Sequence, residues 1–154
     1  MVLRFLVLLV LMAHGPTIAE AQERQWNFDL TDQQAFLVFG VPQTDDVGVS
    51  FWCSRQSGII KLFVPDADPN TAIAASVPFK VKVSDKLFRM KGQTSVNQEA
   101  ASVSIETELK SSDPLFAELG KARRFSISVG KSSYTYPLYG VDFSILLGAC
   151  QKAM

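Results

Sequence analysis

The chain has 154 residues, with 15 basic and 15 acidic side chains and one histidine, His14. A formal charge of zero gives no electrostatic reason to bind nucleic acid or an anionic membrane. The chain has two cysteines, Cys53 and Cys150.

The first segment is read as a signal rather than as structure. Arg4 is a short positive region, Phe5 to Ala13 is an apolar core, His14-Gly15-Pro16 breaks it, and Ala19-Glu20-Ala21 is a small-x-small cleavage site. A membrane-spanning helix needs roughly 20 apolar residues, and this run is shorter. Residues 1–21 are therefore predicted to be removed, leaving 22–154 as a single β-rich domain that is soluble, not membrane-spanning, and periplasmic or secreted. No cysteine lies beside the cleavage point, which argues against a lipid anchor. Arg4 and Glu20 leave together, so the charge stays balanced. His14 leaves as well, which excludes Ser-His and Cys-His nucleophilic pairs, histidine bases and histidine-containing zinc sites.

In chain order, Gln25 to Leu30 alternates with Trp26, Phe28 and Leu30 on one face, and Ala35 to Val41 reads as a more buried strand. Val47 to Val64 reads as a hairpin and is the centre of the pattern. Val47, Val49, Phe51 and Cys53 share one face of its first strand, Ser54 to Gly58 turns, and Ile60, Leu62 and Val64 share one face of the return. Pro65 to Asn70 breaks the pattern. Phe79, Val81 and Val83 alternate with Lys80, Lys82 and Ser84, giving a strand with a charged outer face. Lys86 to Lys91 continues after a turn, Gly92 to Ala100 is predicted to be a polar loop, and Val103, Ile105 and Thr107 mark another strand.

Asp113-Pro114 has the form of an N-cap followed by proline at the first helical position, with Leu115, Phe116 and Leu119 as an apolar stripe and Gly120 as the cap at the far end. Arg124 to Val129 alternates, Gly130 to Ser133 turns, and Tyr134 to Tyr139 returns as an edge strand because it contains Pro137. Val141, Phe143, Leu146, Leu147 and Cys150 then keep helical spacing. About eight or nine strands separated by regular turns predict a mainly β fold, an antiparallel β-sandwich or open barrel with two short flanking helices.

In an exported chain, two cysteines allow one intramolecular pairing, Cys53–Cys150, against the alternative of two free thiols. Closing so long a loop would constrain the unfolded chain by roughly 4–5 kcal/mol at most. Among candidate chemistries, Asp66-x-Asp68-x-Asn70 opens like a calcium loop, but Thr71 and Val77 stand where glycine and glutamate are required, so no metal is expected. Gly130-Lys131-Ser132 resembles the end of a phosphate loop, yet Phe125 stands where its first glycine belongs, and the segment reads as a hairpin turn. Ser128-x-x-Lys131 lacks the companion motifs of penicillin-recognising enzymes. Asp45, Asp46, Asp66 and Asp68 could supply paired carboxylates to a histidine-free hydrolase if their loops converge, although adjacent acids in loops are ordinarily just solvated. No catalytic residue and no cofactor are assigned. The residues singled out for binding are Trp52, Tyr134, Tyr136 and Tyr139. Trp52 points away from Phe51 and Cys53, where it either marks a contact site or lies beneath a covering helix, the helix being the preferred reading.

The stretch from Asp113 to Cys150 runs through a short Leu-Phe-x-x-Leu helix, an alternating strand, a return strand, a Leu-Tyr-Gly step and a helix ending in cysteine. It resembles small exported bacterial proteins of the invasion-associated locus B kind and accessory proteins of type VI secretion. The resemblance implies a periplasmic β-rich domain with a structural disulfide and no established enzymatic site. The function expected is a non-enzymatic binding or accessory module of the bacterial cell envelope, its partner an envelope or secreted protein. The alternatives are the aspartate hydrolase and a carrier of a small apolar ligand.

Overall fold

A computed structural model describes residues 23–98 and 102–152. The predicted signal lies outside the described residues. The strands are β1 (Gln25–Leu30), β2 (Gln34–Gly40), β3 (Val47–Ser54), β4 (Ile59–Val64), β5 (Ser76–Val83), β6 (Lys86–Asn97), β7 (Ser102–Lys110), β8 (Arg124–Val129) and β9 (Ser132–Pro137). The helices are α1 (Pro114–Leu119) and α2 (Phe143–Cys150). All nine strands join one antiparallel sheet in the order β1-β2-β3-β4-β7-β6-β5-β8-β9. The sheet curls into a half-barrel, so the open-barrel alternative describes the fold and two stacked sheets do not. No helix among the described residues is long and apolar enough to cross a membrane.

The register explains the curl's two faces. Ala35, Leu37 and Phe39 of β2 stand opposite Cys53, Phe51 and Val49 of β3, and Phe51 stands opposite Leu62 of β4. Phe79, Val81 and Val83 of β5 meet Val129, Ile127 and Phe125 of β8 in the same way. All of these are buried, and they line the inner face. The two helices do not merely flank the sheet. Leu115, Phe116 and Leu119 of α1 and Phe143, Leu146 and Cys150 of α2 are buried in the same core. The Asp113 carboxylate accepts from the Leu115 amide at 2.9 Å and Asp142 caps Ser144 at 2.8 Å, satisfying amide groups that each helix start leaves without partners.

Phe51 is the centre of this interior. Its ring lies 5.3 Å from Phe143, 6.1 Å from Phe116, 6.2 Å from Phe125 and 6.4 Å from Trp26. The aromatic cluster lies within the curl as part of the buried core. Trp26 also links the two edge strands, its indole donating to the Pro137 carbonyl at 2.6 Å.

Cys53 and Cys150 are bonded, 97 positions apart in sequence. Beside that bond, the Gln56 amide donates to the Ala149 carbonyl at 3.0 Å and the Gly58 amide to the Cys150 carbonyl at 2.8 Å. The end of α2 is thus fastened to the β3–β4 turn, and the free-thiol alternative falls.

Two expectations are corrected, the polar loop after Gly92 and the helix over Trp52. Gly92 to Asn97 is not a loop but the second half of β6, paired with β7 from Gln93–Glu106 to Asn97–Ser102. Its polar residues carry structure. The Thr94 hydroxyl is buried, donates to the Ala72 carbonyl at 2.7 Å and accepts from the Ala75 amide at 3.0 Å. Gly92 is needed because a Cβ there would come within 2.5 Å of Ile105 Cγ1. Phe28 and Leu30 share Trp26's face but are exposed, since β1 runs past the part of the core that Trp26 reaches. No helix among the described residues covers Trp52, which sits on the outer, convex face of β3.

Candidate functional site

The structure separates the four aromatic candidates into three places. Tyr134 and Tyr136 are on the inner face of β9, opposite Ile127 and Phe125. Tyr136 is buried. Its hydroxyl donates to the Gly48 carbonyl at 3.0 Å, next to the irregularity where β2 and β3 slip out of register at Phe39 and Gly40. Burial pushes this hydroxyl above its usual pKa and keeps it a donor. Tyr139 follows β9 and is the most exposed of the large hydrophobic side chains, at 74%. Trp52 lies on the other side of the sheet.

Tyr134 and Tyr136 line a cleft of about 270 Å³ with Arg24, Phe39 and Asp66. Arg24 and Asp66 also border a second cleft of about 230 Å³ that holds Asp45 and Asp46. Three of the loop aspartates therefore do converge. Asp46 is ion-paired with Arg24, and this hydrogen bond holds the guanidinium above its usual pKa. Arg24 is the residue that sequence inspection passed over. It stands just outside β1, and its partner is 22 positions away.

Asp68 does not join them. It is buried, and its carboxylate accepts from the Lys131 amide at 2.7 Å, the Asn70 amide at 2.9 Å and the Asn70 side chain at 3.0 Å. It fastens the Pro65–Asn70 loop to the β8–β9 turn, where Gly130 has φ +57° and a Cβ would sit 2.6 Å from Asp68 Oδ2. The calcium-like rhythm and the phosphate-loop-like tail are thus two halves of one structural contact.

These hydrogen bonds, the one from Lys131 first, hold the Asp68 carboxyl below the ordinary carboxylate range. A lowered folded pKa contributes stability above the unfolded value of about 3.9, and that stability is lost as pH falls through the folded value. Asp68→Ala is expected to lower Tm by several degrees at neutral pH. In melts followed by circular dichroism, the gap between parent and variant should close as pH falls below about 4 and through the lowered folded value. A gap that stays constant would assign the whole effect to packing.

The outer face of β2–β4 is a different kind of surface. Phe36 stands opposite Trp52, and Trp52 opposite Lys61; Val38 stands opposite Ser50, and Ser50 opposite Phe63. The Phe36 and Trp52 rings stack at 6.1 Å with 19° between their planes, and the Lys61 ammonium sits 4.8 Å from the Trp52 ring centre. Phe36, Val38, Trp52 and Phe63 are all partly exposed. Lys61 is held in place by Glu106 at 3.1 Å. A shallow cleft of about 260 Å³ lies beside Trp52, bordered by Ser57, Ile59, Lys61 and Glu108. The arrangement offers an ordered apolar strip with a charged rim of Lys61, Glu106 and Glu108.

No protein-family model matches the chain, and no curated protein matches it in sequence. Among solved structures, it is similar to the crystal structure of invasion associated protein B from Bartonella henselae. The two are 13% identical, over 82% of this chain and 92% of that one, with a TM-score of 0.45. That is a likeness of fold only, and it carries nothing about sites or activity.

Proposed function

We propose that this chain is an exported, disulfide-stapled, non-enzymatic accessory domain of the bacterial cell envelope, periplasmic or secreted, that binds another envelope or secreted protein. The observation that carries the reading is the Phe36–Trp52 stack on an outer face. A half-exposed tryptophan set among apolar neighbours and ringed by charge is the composition of an interface centre. Its rotamer is fixed in advance by Phe36 and Lys61, which lowers the entropy cost of docking. The disulfide and the signal-like first segment support export. The hydrolase alternative draws on the convergence of Asp45, Asp46 and Asp66, but Asp46 is engaged by Arg24 and Asp68 lies elsewhere.

The test is a photocrosslinking side chain at Phe63, at the edge of the strip, in the full chain expressed in its own host. One discrete protein adduct is expected there, absent when the crosslinker replaces Tyr139 and lost on adding Trp52→Ala. No adduct, or the same adducts from both positions, would overturn the interface.

A further inference from the structure

The charge balances over the whole chain but not over its surface. The register places Leu87, Arg89 and Lys91 of β6, Lys80 and Lys82 of β5, and Arg124 of β8 on the outer face. Lys80 lies between Arg89 and Ser128, and Lys82 between Leu87 and Ser126. All five cations are exposed, and no aspartate or glutamate occupies an outer-face position on β5, β6, β8 or β9. Elsewhere Arg24 pairs with Asp46, Lys61 with Glu106 and Lys86 with Glu118, whereas Arg55, Lys110, Lys131 and Lys152 stand singly and scattered, with no acid within salt-bridge distance among the described residues. Among the described residues, Lys80, Lys82, Arg89, Lys91, Arg123 and Arg124 have no acidic partner within salt-bridge distance. Lys80 even stands directly opposite Arg89, an arrangement that is destabilising by itself.

The face between these cations is floored with hydroxyls in cross-strand pairs, Ser126 with Thr135 at 2.9 Å and Ser128 with Ser133 at 3.0 Å. At its end the face runs into a cleft of about 620 Å³, to which Lys82, Lys121, Arg123 and Arg124 contribute and in which Asp85 is the one acid.

We infer that this face and its cleft bind a linear acidic polysaccharide. The cleft would seat one anionic sugar and the strand rows its neighbours. Cations repeat about 4.8 Å apart across strands and roughly 6.6–6.8 Å apart along them, a grid on the scale of successive charged groups on a glycan. Arg89, Arg123 and Arg124 suit bidentate recognition of carboxylate or sulfate, and the serine and threonine hydroxyls both donate to and accept from sugar hydroxyls. Other polyanions fit less well. The outer face of these strands presents no aromatic ring on which a base could stack. It is convex, so a straight duplex meets it along a line. Leu87 is its one exposed large apolar side chain, too little to enter a bilayer.

The test uses the full chain with heparin as the acidic glycan and dextran as the neutral one, by calorimetry across a salt series. Heparin should bind and dextran should not. Lys82→Gln/Arg124→Gln and Lys80→Gln/Arg89→Gln should each weaken heparin at least ten-fold and reduce the slope of log affinity against log salt by about two. Arg55→Gln/Lys110→Gln removes the same charge from elsewhere on the surface and should change neither quantity; Tm reports that every variant is folded. The inference is overturned if heparin does not bind, or if the Arg55/Lys110 pair weakens it equally. It is also overturned if a DNA duplex or a phosphatidylserine vesicle binds more tightly than heparin through the same lysines and arginines.

Discussion

Phe51→Ala is expected to lower the unfolding free energy by about 3–5 kcal/mol, the range for emptying a fully buried phenylalanine site. Phe51 has no exposed surface, and its ring contacts both helices and two further strands through Phe143, Phe116, Phe125 and Trp26. The neighbours are held by different elements, so they cannot all move inward to fill the void. Urea unfolding gives the magnitude, and Trp26 fluorescence gives an independent reading, because its indole loses a stacked partner. Phe28→Ala is the matched comparison: the same side chain, on the core-facing side of its strand but 38% exposed, should cost well under half as much. Equal losses would mean that the interior is not centred on β3.

Cys53→Ala/Cys150→Ala is expected to cost about 2–5 kcal/mol, because the bond closes a loop across most of the chain. The loss should have a place as well as a size. Phe143 and Leu146 still hold the start of α2 in the core, whereas the helix end meets the β3–β4 turn through two amides, Gln56 and Gly58. In native-state hydrogen exchange those two amides should lose protection first, while Phe51 and Leu62 keep theirs. If all four lose protection together, the bond serves the whole sheet and not this junction.

The hairpin, the start of α1 and the bonded cysteines were legible because each rests on a short-range signal, whereas the Asp142 cap that starts α2 at Phe143 was not read. Alternation set β3 and β4, Asp113-Pro114 set the start of α1, and the helical spacing of Phe143, Leu146 and Cys150 put the second cysteine on a buried face. What the sequence did not disclose depends on partners distant in the chain. Gly92 to Asn97 looked like a loop because its residues are polar, and only β7 and the Ala72–Ala75 segment give those groups their hydrogen bonds. Trp52 could be placed on the outer face, but not its stack with Phe36 or its contact with Lys61, which follow from register. The charged side of β5 was visible as Lys80 and Lys82. That it continues across β6 and β8 follows from β5 lying between them in the sheet.

The Cys53–Cys150 bond also divides the chain mechanically. A force applied at Glu23 and Lys152 runs through β1, β2 and β3 to Cys53, crosses the sulfur bridge and leaves at the end of α2. The chain between the cysteines, which lie 97 positions apart, is bypassed by the covalent path. At roughly 3.3–3.6 Å per residue, more than 300 Å of potential extension is withheld. Under tension the strands β4 to β9 keep their pairing with one another, including the basic face, while the outer strip that includes Phe36 and Trp52 lies on the part that peels. In an envelope where a domain can be pulled between two attachments, the bond would decide which surface survives the load.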